Sequence, residues 1–212
     1  MTPDEIVGLR RGAEAPELCG VEHMPAVAED LSAAFATYPM FEWFMRADAR
    51  RDAARLRFFQ MLTRNLTFGG EVLRPAGGGA ASVWMPSQSL VPTPLWEEIR
   101  LLPVLLGATG LARFGRLAAM RQAMDAHHPM DRPHIYLWLL GVRPQAQGLG
   151  IGSRLLRAGL ERADAQGLPV FLETSTPENV ALYRRHGFEV LSEYWVRPDS
   201  PPSWAMWREA AT

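Results

Sequence analysis

The chain has 212 residues, 48% hydrophobic and 21% charged, with a formal net charge of −1. This is enough chain for one well-packed domain, and the charge balance gives no global drive toward nucleic acid or a membrane surface. A single cysteine, Cys19, excludes an intramolecular disulfide framework and fits a reducing cytoplasm; all 22 basic residues are arginine.

Residues 1–22 read as irregular, with a short strand near Ile6 to Arg11 and, given Asp4 and Glu5, no apolar leader. Val27, Leu31, Ala34 and Phe35 recur at helical spacing, which predicts a helix over Pro25 to Phe35. A second helix is predicted over Ala49 to Asn65, with Leu56, Phe59 and Leu62 on one face. Glu71 to Arg74 and Ala80 to Met85 read as strands joined by a turn at Pro75-Ala76-Gly77-Gly78-Gly79. Two helices follow, Pro94 to Leu106 and Leu111 to Ala126. The apolar run near Leu101 to Leu111 is short and interrupted by Pro103 and glycines, so no bilayer span is expected. His134 to Val142 reads as a buried strand, Gly150 to Gln166 as a helix ended by Gly167, and Val170 to Thr174 as another strand. Thr176 is placed to cap a helix with Pro177 at its first position and Gly187 at its end. Phe188 to Val196 and Ser203 to Arg208 close the chain as a strand pair.

The most informative segment runs from Trp138 to Leu156. A strand, the Arg143-Pro144 stop, a turn with Gly148, Gly150 and Gly152, and a helix follow in order. Such a turn aims backbone N–H groups and a helix dipole at an anion, and glycines leave no Cβ in its path. A P-loop is excluded because the chain has no lysine. A dinucleotide fingerprint is disfavoured by the Gly-x-Gly-x-Gly spacing and its late position. Gln147, Gly150 and Gly152 instead fit Gln/Arg-x-x-Gly-x-Gly/Ala, preceded by Val142-x-Pro144. Downstream, Phe171-Leu172-Glu173-Thr174-Ser175 leads to Asn179-x-x-x-Tyr183-x-x-x-Gly187-Phe188.

These two blocks resemble the acyl-CoA loop and the following strand–helix of the GCN5-related N-acetyltransferase (GNAT) superfamily. Ala34-Phe35-Ala36-Thr37-Tyr38-Pro39 and Phe171 to Ser175 resemble most the puromycin N-acetyltransferase-like branch. The resemblance covers roughly residues 24–209. It implies an α/β GNAT fold: a mixed, mostly antiparallel sheet of six to seven strands, flanked by helices, with strands four and five splayed to hold acyl-CoA. Residues 1–212 then form one domain, with 93–127 as a helical insertion or lid on the acceptor side.

The resemblance further implies an N-acetyltransferase that moves an acetyl group from acetyl-CoA to the primary amine of a small molecule, without a metal. Nucleic acid and membrane are not expected partners; a homodimer is compatible. The implied cofactor contacts are Leu140, Gly141, Val142, Gln147, Gly148, Leu149, Gly150, Ile151, Gly152, Ser153, Asn179 and Tyr183. Asn179 and Tyr183, four apart, share a helix face. The resemblance gives Tyr183 the role of proton donor to the departing thiolate, a transfer uphill by about 1.5 units or roughly 2 kcal/mol. The bland alternative is a helix tyrosine packed on Phe188. Glu173, a carboxylate within an apolar strand, is a candidate to orient or deprotonate the amine, or else a salt-bridge partner of an arginine. The backbone at Leu140 to Val142 would polarise the thioester carbonyl, with a bulge expected at Gly141.

His127, His128 and His134 lie close in sequence, but their spacing matches no metal motif; His134 is an alternative base. Phe41, Trp43, Phe44, Trp84, Trp96 and Trp138 are candidates for an aromatic acceptor pocket, with Tyr38, Trp43, Trp84, Trp138 and Glu173 as substrate contacts. Glu42, Glu97 and Glu98 could attract a cationic amine or simply be solvated. The competing functions are acetylation of a protein amine, a non-catalytic acyl-CoA sensor, and a nicotinamide-dependent oxidoreductase, the last disfavoured by the motif spacing.

Overall fold

The computed structural model describes residues 3–65, 69–90 and 94–211. Helix α1 (Pro3–Glu14) leads to the two-residue strand β1 (Glu17–Leu18), then α2 (Met24–Ala34), α3 (Pro39–Phe44) and α4 (Arg51–Asn65). The hairpin β2 (Glu71–Arg74) and β3 (Ala80–Pro86) precedes the long helical run α5 (Leu95–His127). Then come β4 (Ile135–Val142), α6 (Ile151–Ala165), β5 (Val170–Thr174), α7 (Pro177–Arg184), β6 (Glu189–Trp195) and β7 (Pro202–Arg208). The strands form one seven-stranded sheet in the order β1-β2-β3-β4-β5-β7-β6. Among the described residues only the β4–β5 pair is parallel.

Side-chain alternation assigns the two faces. Ile135, Leu137 and Leu172 point toward α1, α6 and α7, where Leu155, Leu156, Leu160 and Val180 complete the core. On the opposite face, Val83 and Leu139 meet Val27, Leu31 and Phe59 of α2 and α4, while Tyr136 and Phe171 meet α5. The buried residues of α6, Ile151, Leu155, Leu156 and Leu160, follow the helical repeat of an amphipathic helix. Where α6 crosses β3, Gly159 is required by contact: a Cβ there would lie 1.9 Å from Cζ2 of Trp84.

The expected strand near Ile6 to Arg11 is instead part of α1. Leu9 and Ala13, four residues apart, pack on the α6 face, so the short apolar run carries a helical period. The two helices expected between 94 and 126 are both present: the run Leu95–His127 is two helices that meet at Gly110, whose φ of +67° and ψ of 168° are not helical. Pro103 lies inside the run and does not end it. Mean hydropathy reaches 1.3 over 18 residues of this run, but every such window includes the non-helical Gly110, so neither helix alone has the length of a bilayer span. In this fold the run packs along α3 and α4. Thr176 precedes α7 as expected but makes no side-chain capping bond.

The sheet's decisive irregularity lies in β4. Val83 pairs with Leu139 and Trp84 with Leu137, so Trp138 is the extra residue of a bulge. Gly141 pairs regularly with Ala81, which moves the expected bulge from Gly141 to Trp138. Gly141 has a packing role instead: a Cβ there would lie 2.9 Å from both the Ala34 Cβ and the Leu31 Cδ2 of α2.

Overpacking at the α6–β3 crossing is expected to be costly. Gly159→Ala should lower stability by about 1–3 kcal/mol, read as a lower denaturant midpoint at unchanged slope.

Candidate active site

Strands β4 and β5 pair only through Ile135–Val170, Tyr136–Phe171 and Leu137–Leu172. Beyond Leu137 they part, and among the described residues no strand covers β4 on that side. A cavity of about 800 Å³ opens from this point. On the β5 side, the Ser175 N–H donates to the Tyr38 hydroxyl at 2.6 Å, and that hydroxyl also meets Thr174 Oγ1 at 3.2 Å. Tyr38 thus satisfies a backbone group that the parting of the strands exposes.

One end of the cavity is the glycine turn. Gly148 and Gly150 both have φ +74°, a conformation that glycine adopts without strain. Gly150 is the N-cap of α6 and offers no side-chain capping bond, so the first N–H groups of the helix, those of Ile151, Gly152 and Ser153, lie at the cavity wall without an acceptor inside the helix. The Gln147 side-chain amide donates to the Val142 carbonyl at 3.0 Å, tying the turn back to β4. Arg185 lines this half. The turn is therefore built to receive an anion.

Tyr183 and Asn179 face the cavity from α7. The Tyr183 ring packs edge-on against Phe188, 5.7 Å between centroids, but among the described residues nothing hydrogen-bonds its hydroxyl. Burial, and then the neighbouring Tyr38 hydroxyl, raise its pKa, so the proton is retained.

The other half holds Glu173. Its carboxylate accepts hydrogen bonds from Tyr194 and, at 3.1 Å, from Tyr136. Burial pushes its pKa up to about 7, against the opposing effect of the two hydroxyls. No arginine pairs with it among the described ion pairs, so the salt-bridge alternative fails. The His127 ring stacks on Tyr194 at 3.8 Å, and its Nδ1 lies 2.8 Å from the Ala123 carbonyl. The rest of this half is apolar, with Phe41, Phe44, Phe58, Met120, Met124 and Trp138 among its walls.

The structure gathers most of the residues expected from sequence. Leu140, Val142, Gln147, Gly148, Gly150, Ile151, Gly152, Ser153, Asn179 and Tyr183 line the cavity, as do Tyr38, Trp138 and Glu173. Leu149 and Gly141 do not; the Leu149 carbonyl is engaged by Arg10 and Arg154, and Gly141 is packed under α2. Two expected substrate contacts are corrected. Trp84 is buried under α6 on the opposite face, and its indole N–H donates to Ser82. Trp43 is buried beside α5 and donates to Asp199. Trp96 is exposed on α5. Glu42, Glu97 and Glu98 pair with Arg51, Arg100 and Arg121 at the surface. His134 is fully buried and absent from the cavity wall; its Nε2 meets His128 Nε2 at 2.9 Å, so it is not placed to act as base.

Sequence reasoning misses Tyr136, Tyr194, Met120 and Met124. Tyr136 has a usable signal, since it stands two residues before Trp138 on one strand face. The others arrive from β6 and α5 through long-range packing.

A mixed sheet whose parallel pair splays over a glycine turn at a helix N-terminus defines the GNAT fold. A model of the Acetyltransferase (GNAT) family matches residues 92–188. A solved structure described as histone acetyltransferase HPA2 and related acetyltransferase from Corynebacterium glutamicum superposes with a TM-score of 0.66 at 25% identity, covering 93% of this chain and 97% of that one. Mycothiol acetyltransferase from Paenarthrobacter aurescens is 37% identical over 67 residues, 29% of this chain and 21% of that protein. L-methionine sulfoximine/L-methionine sulfone acetyltransferase from Pseudomonas paraeruginosa is 44% identical over 52 residues, 23% of this chain and 30% of that protein. These matches span less than a third of either relative's length. The chain has the GNAT fold, and the family model matches a little under half of it.

The buried carboxylate has a thermodynamic signature. A folded pKa near 7 lies above the unfolded value of about 4.5, so Glu173 contributes fully below about pH 4.5 and destabilises progressively from there to pH 7. Glu173→Gln should therefore match the parent at pH 4 and exceed its unfolding free energy by about 3 kcal/mol above pH 7, measured by chemical denaturation across pH.

Proposed function

We propose that the protein is an acyl-CoA-dependent N-acyltransferase that moves an acetyl group to the primary amine of a small molecule. The observation that carries this reading is the arrangement within one cavity. An anion-receiving turn and the unpartnered Tyr183 hydroxyl occupy one side, and a carboxylate with pKa about 7 occupies the other. The match to the acetyltransferase family model and the likeness to relatives named as small-molecule acetyltransferases support it. The Ala34 to Pro39 and Phe171 to Ser175 segments favour the puromycin N-acetyltransferase-like branch.

The residues present fit the co-substrate. The helix N-terminus and the Gly148 to Ser153 turn suit a pyrophosphate, and the uncovered edge of β4 suits a chain of amides, because buried backbone groups need partners. The bound thioester supplies an activated acyl carbon and a thiolate leaving group. Glu173 takes the proton that frees the lone pair of an acceptor bound as ammonium and passes it to solvent, then takes the second N–H proton once the C–N bond has formed and releases that to solvent too. Tyr183 gives its proton to sulfur as the C–S bond breaks, and recovers one from solvent in the next cycle. Burial raises the proton affinity of both phenolate and thiolate, so it does not by itself oppose this transfer. Tyr136 and Tyr194 hold the Glu173 carboxylate in place. Helix α5 acts as the acceptor-side wall and lid.

The test is amine-dependent thiol release from acetyl-CoA. Tyr183→Phe should cut kcat by on the order of 10²–10³-fold with little change in acetyl-CoA affinity. Glu173→Gln should lower kcat/KM and abolish the limb of its pH profile near pH 7. Unchanged turnover in Tyr183→Phe removes the acid role; an unchanged profile in Glu173→Gln removes the base role.

A further inference from the structure

We infer that the acceptor is a monocationic amine carried on an apolar, ring-bearing body, and that Met120 and Met124 set this preference. The inference rests on the transferase reading and names the substrate class for the same cavity.

Three observations carry it. The first is the wall. Beyond Glu173 the acceptor half is lined by Phe41, Phe58, Leu62, Met120, Met124 and Val196, most of which pack in one apolar cluster. Phe35, Phe41 and Phe59 form a mutually packed cluster at this wall, with centroids 5.0–5.6 Å apart, so its aromatic part is rigid. An apolar body gains from leaving water against such a surface, whereas a hydroxyl-rich sugar would leave its polar groups without partners.

The second is charge. Among the described residues, Glu173 is the one carboxylate lining this half; Glu178 lies on α7, on the side of the glycine turn. One carboxylate neutralises one ammonium. Asp125 of α5 acts on Glu173 through space but does not line the cavity, so a second ammonium among the phenyl and thioether groups would have no carboxylate at the wall to meet, a costly burial unless it shed its proton. Tyr136 and Tyr194 take two of the roughly four acceptor sites of the Glu173 carboxylate, one on each oxygen, which leaves about two for the N–H groups of a single ammonium.

The third is the character of the α5 side. Met120 and Met124 stand four apart on one face of α5 and reach the cavity together. Flexible, polarisable thioethers adapt to ring edges of differing shape, beside the rigid phenylalanines of the same wall. The acceptor would therefore meet a surface that is aromatic in part and compliant in part.

The experiment measures kcat/KM for thiol release from acetyl-CoA with the full chain and a matched panel: phenethylamine and tryptamine against spermidine, kanamycin and a lysine peptide. Acetyl-CoA affinity is measured alongside. The expected result is a preference for the arylalkylamines on the order of 100-fold or more. In Met124→Glu, with acetyl-CoA affinity retained as the sign of an intact fold, that preference should fall at least about tenfold, and spermidine should gain. Met120→Glu serves as the second variant and should move the ratio in the same direction. Preferred turnover of spermidine, kanamycin or the peptide overturns the substrate class while leaving the transferase intact. An unchanged ratio in both folded variants overturns the role of the two methionines. Acetyl-CoA binding without thiol release from any amine overturns the transferase reading and this inference with it.

Discussion

Everything at this site depends on where β4 and β5 stop pairing. A parallel pair normally continues its hydrogen bonds along its length, and a buried strand edge left without partners is costly. Here the pairing ends at Leu137, one residue before the Trp138 bulge in the pairing with β3. The bulge shifts the alternation of β4, so that Leu140 and Val142 continue the face begun by Ile135 and Leu137. It also brings Trp138 to the cavity wall. On the other lip, Tyr38 accepts the hydrogen bond of the Ser175 N–H. The opening is thus held by protein contacts on the β5 side, while the β4 edge stays available to an amide-bearing ligand.

That opening also explains the electrostatics. Glu173 ends the apolar run of β5 and would ordinarily be unwelcome there. Its carboxylate meets two tyrosyl hydroxyls instead of a cation, so burial dominates and its pKa rises to about 7. An arginine in that position would hold the group ionised and leave it a weak base. Tyr183 meets no acceptor among the described residues and keeps its proton. The site therefore has a group able to take a proton near neutral pH and another able to give one, on opposite sides of a single cavity. Dissolving either arrangement would stabilise the fold or leave it unchanged, as expected of groups placed for chemistry rather than for packing.

Local features are legible in the sequence and distant ones are not. The glycine turn and α7 are written in consecutive residues, so pattern alone assigns Gly148, Gly150, Asn179 and Tyr183 to the site. Glu173 stands out as a charge in an apolar strand. The tyrosines that hold it do not, because Tyr194 comes from β6, across the sheet and 21 residues away. Tryptophan content misleads for a related reason: Trp84 and Trp138 lie on one hairpin-like strand pair, yet the bulge and pleat send them to opposite faces. A glycine within a strand, such as Gly141, has two common causes, a bulge or the close approach of another element. Close approach of α2 is the operative one here. The period of the first helix is hard to read because its segment is short and weakly patterned, and only packing against α6 decides it.

The most direct measurement is calorimetric titration of the full chain with acetyl-CoA, with NAD as the comparison ligand. A cavity shaped by the β4–β5 parting and the α6 N-terminus should bind acetyl-CoA at one site per chain and give no comparable heat with NAD. Absence of acetyl-CoA binding at millimolar concentration, or tighter binding of NAD, would contradict the reading of this cavity as an acyl-CoA site.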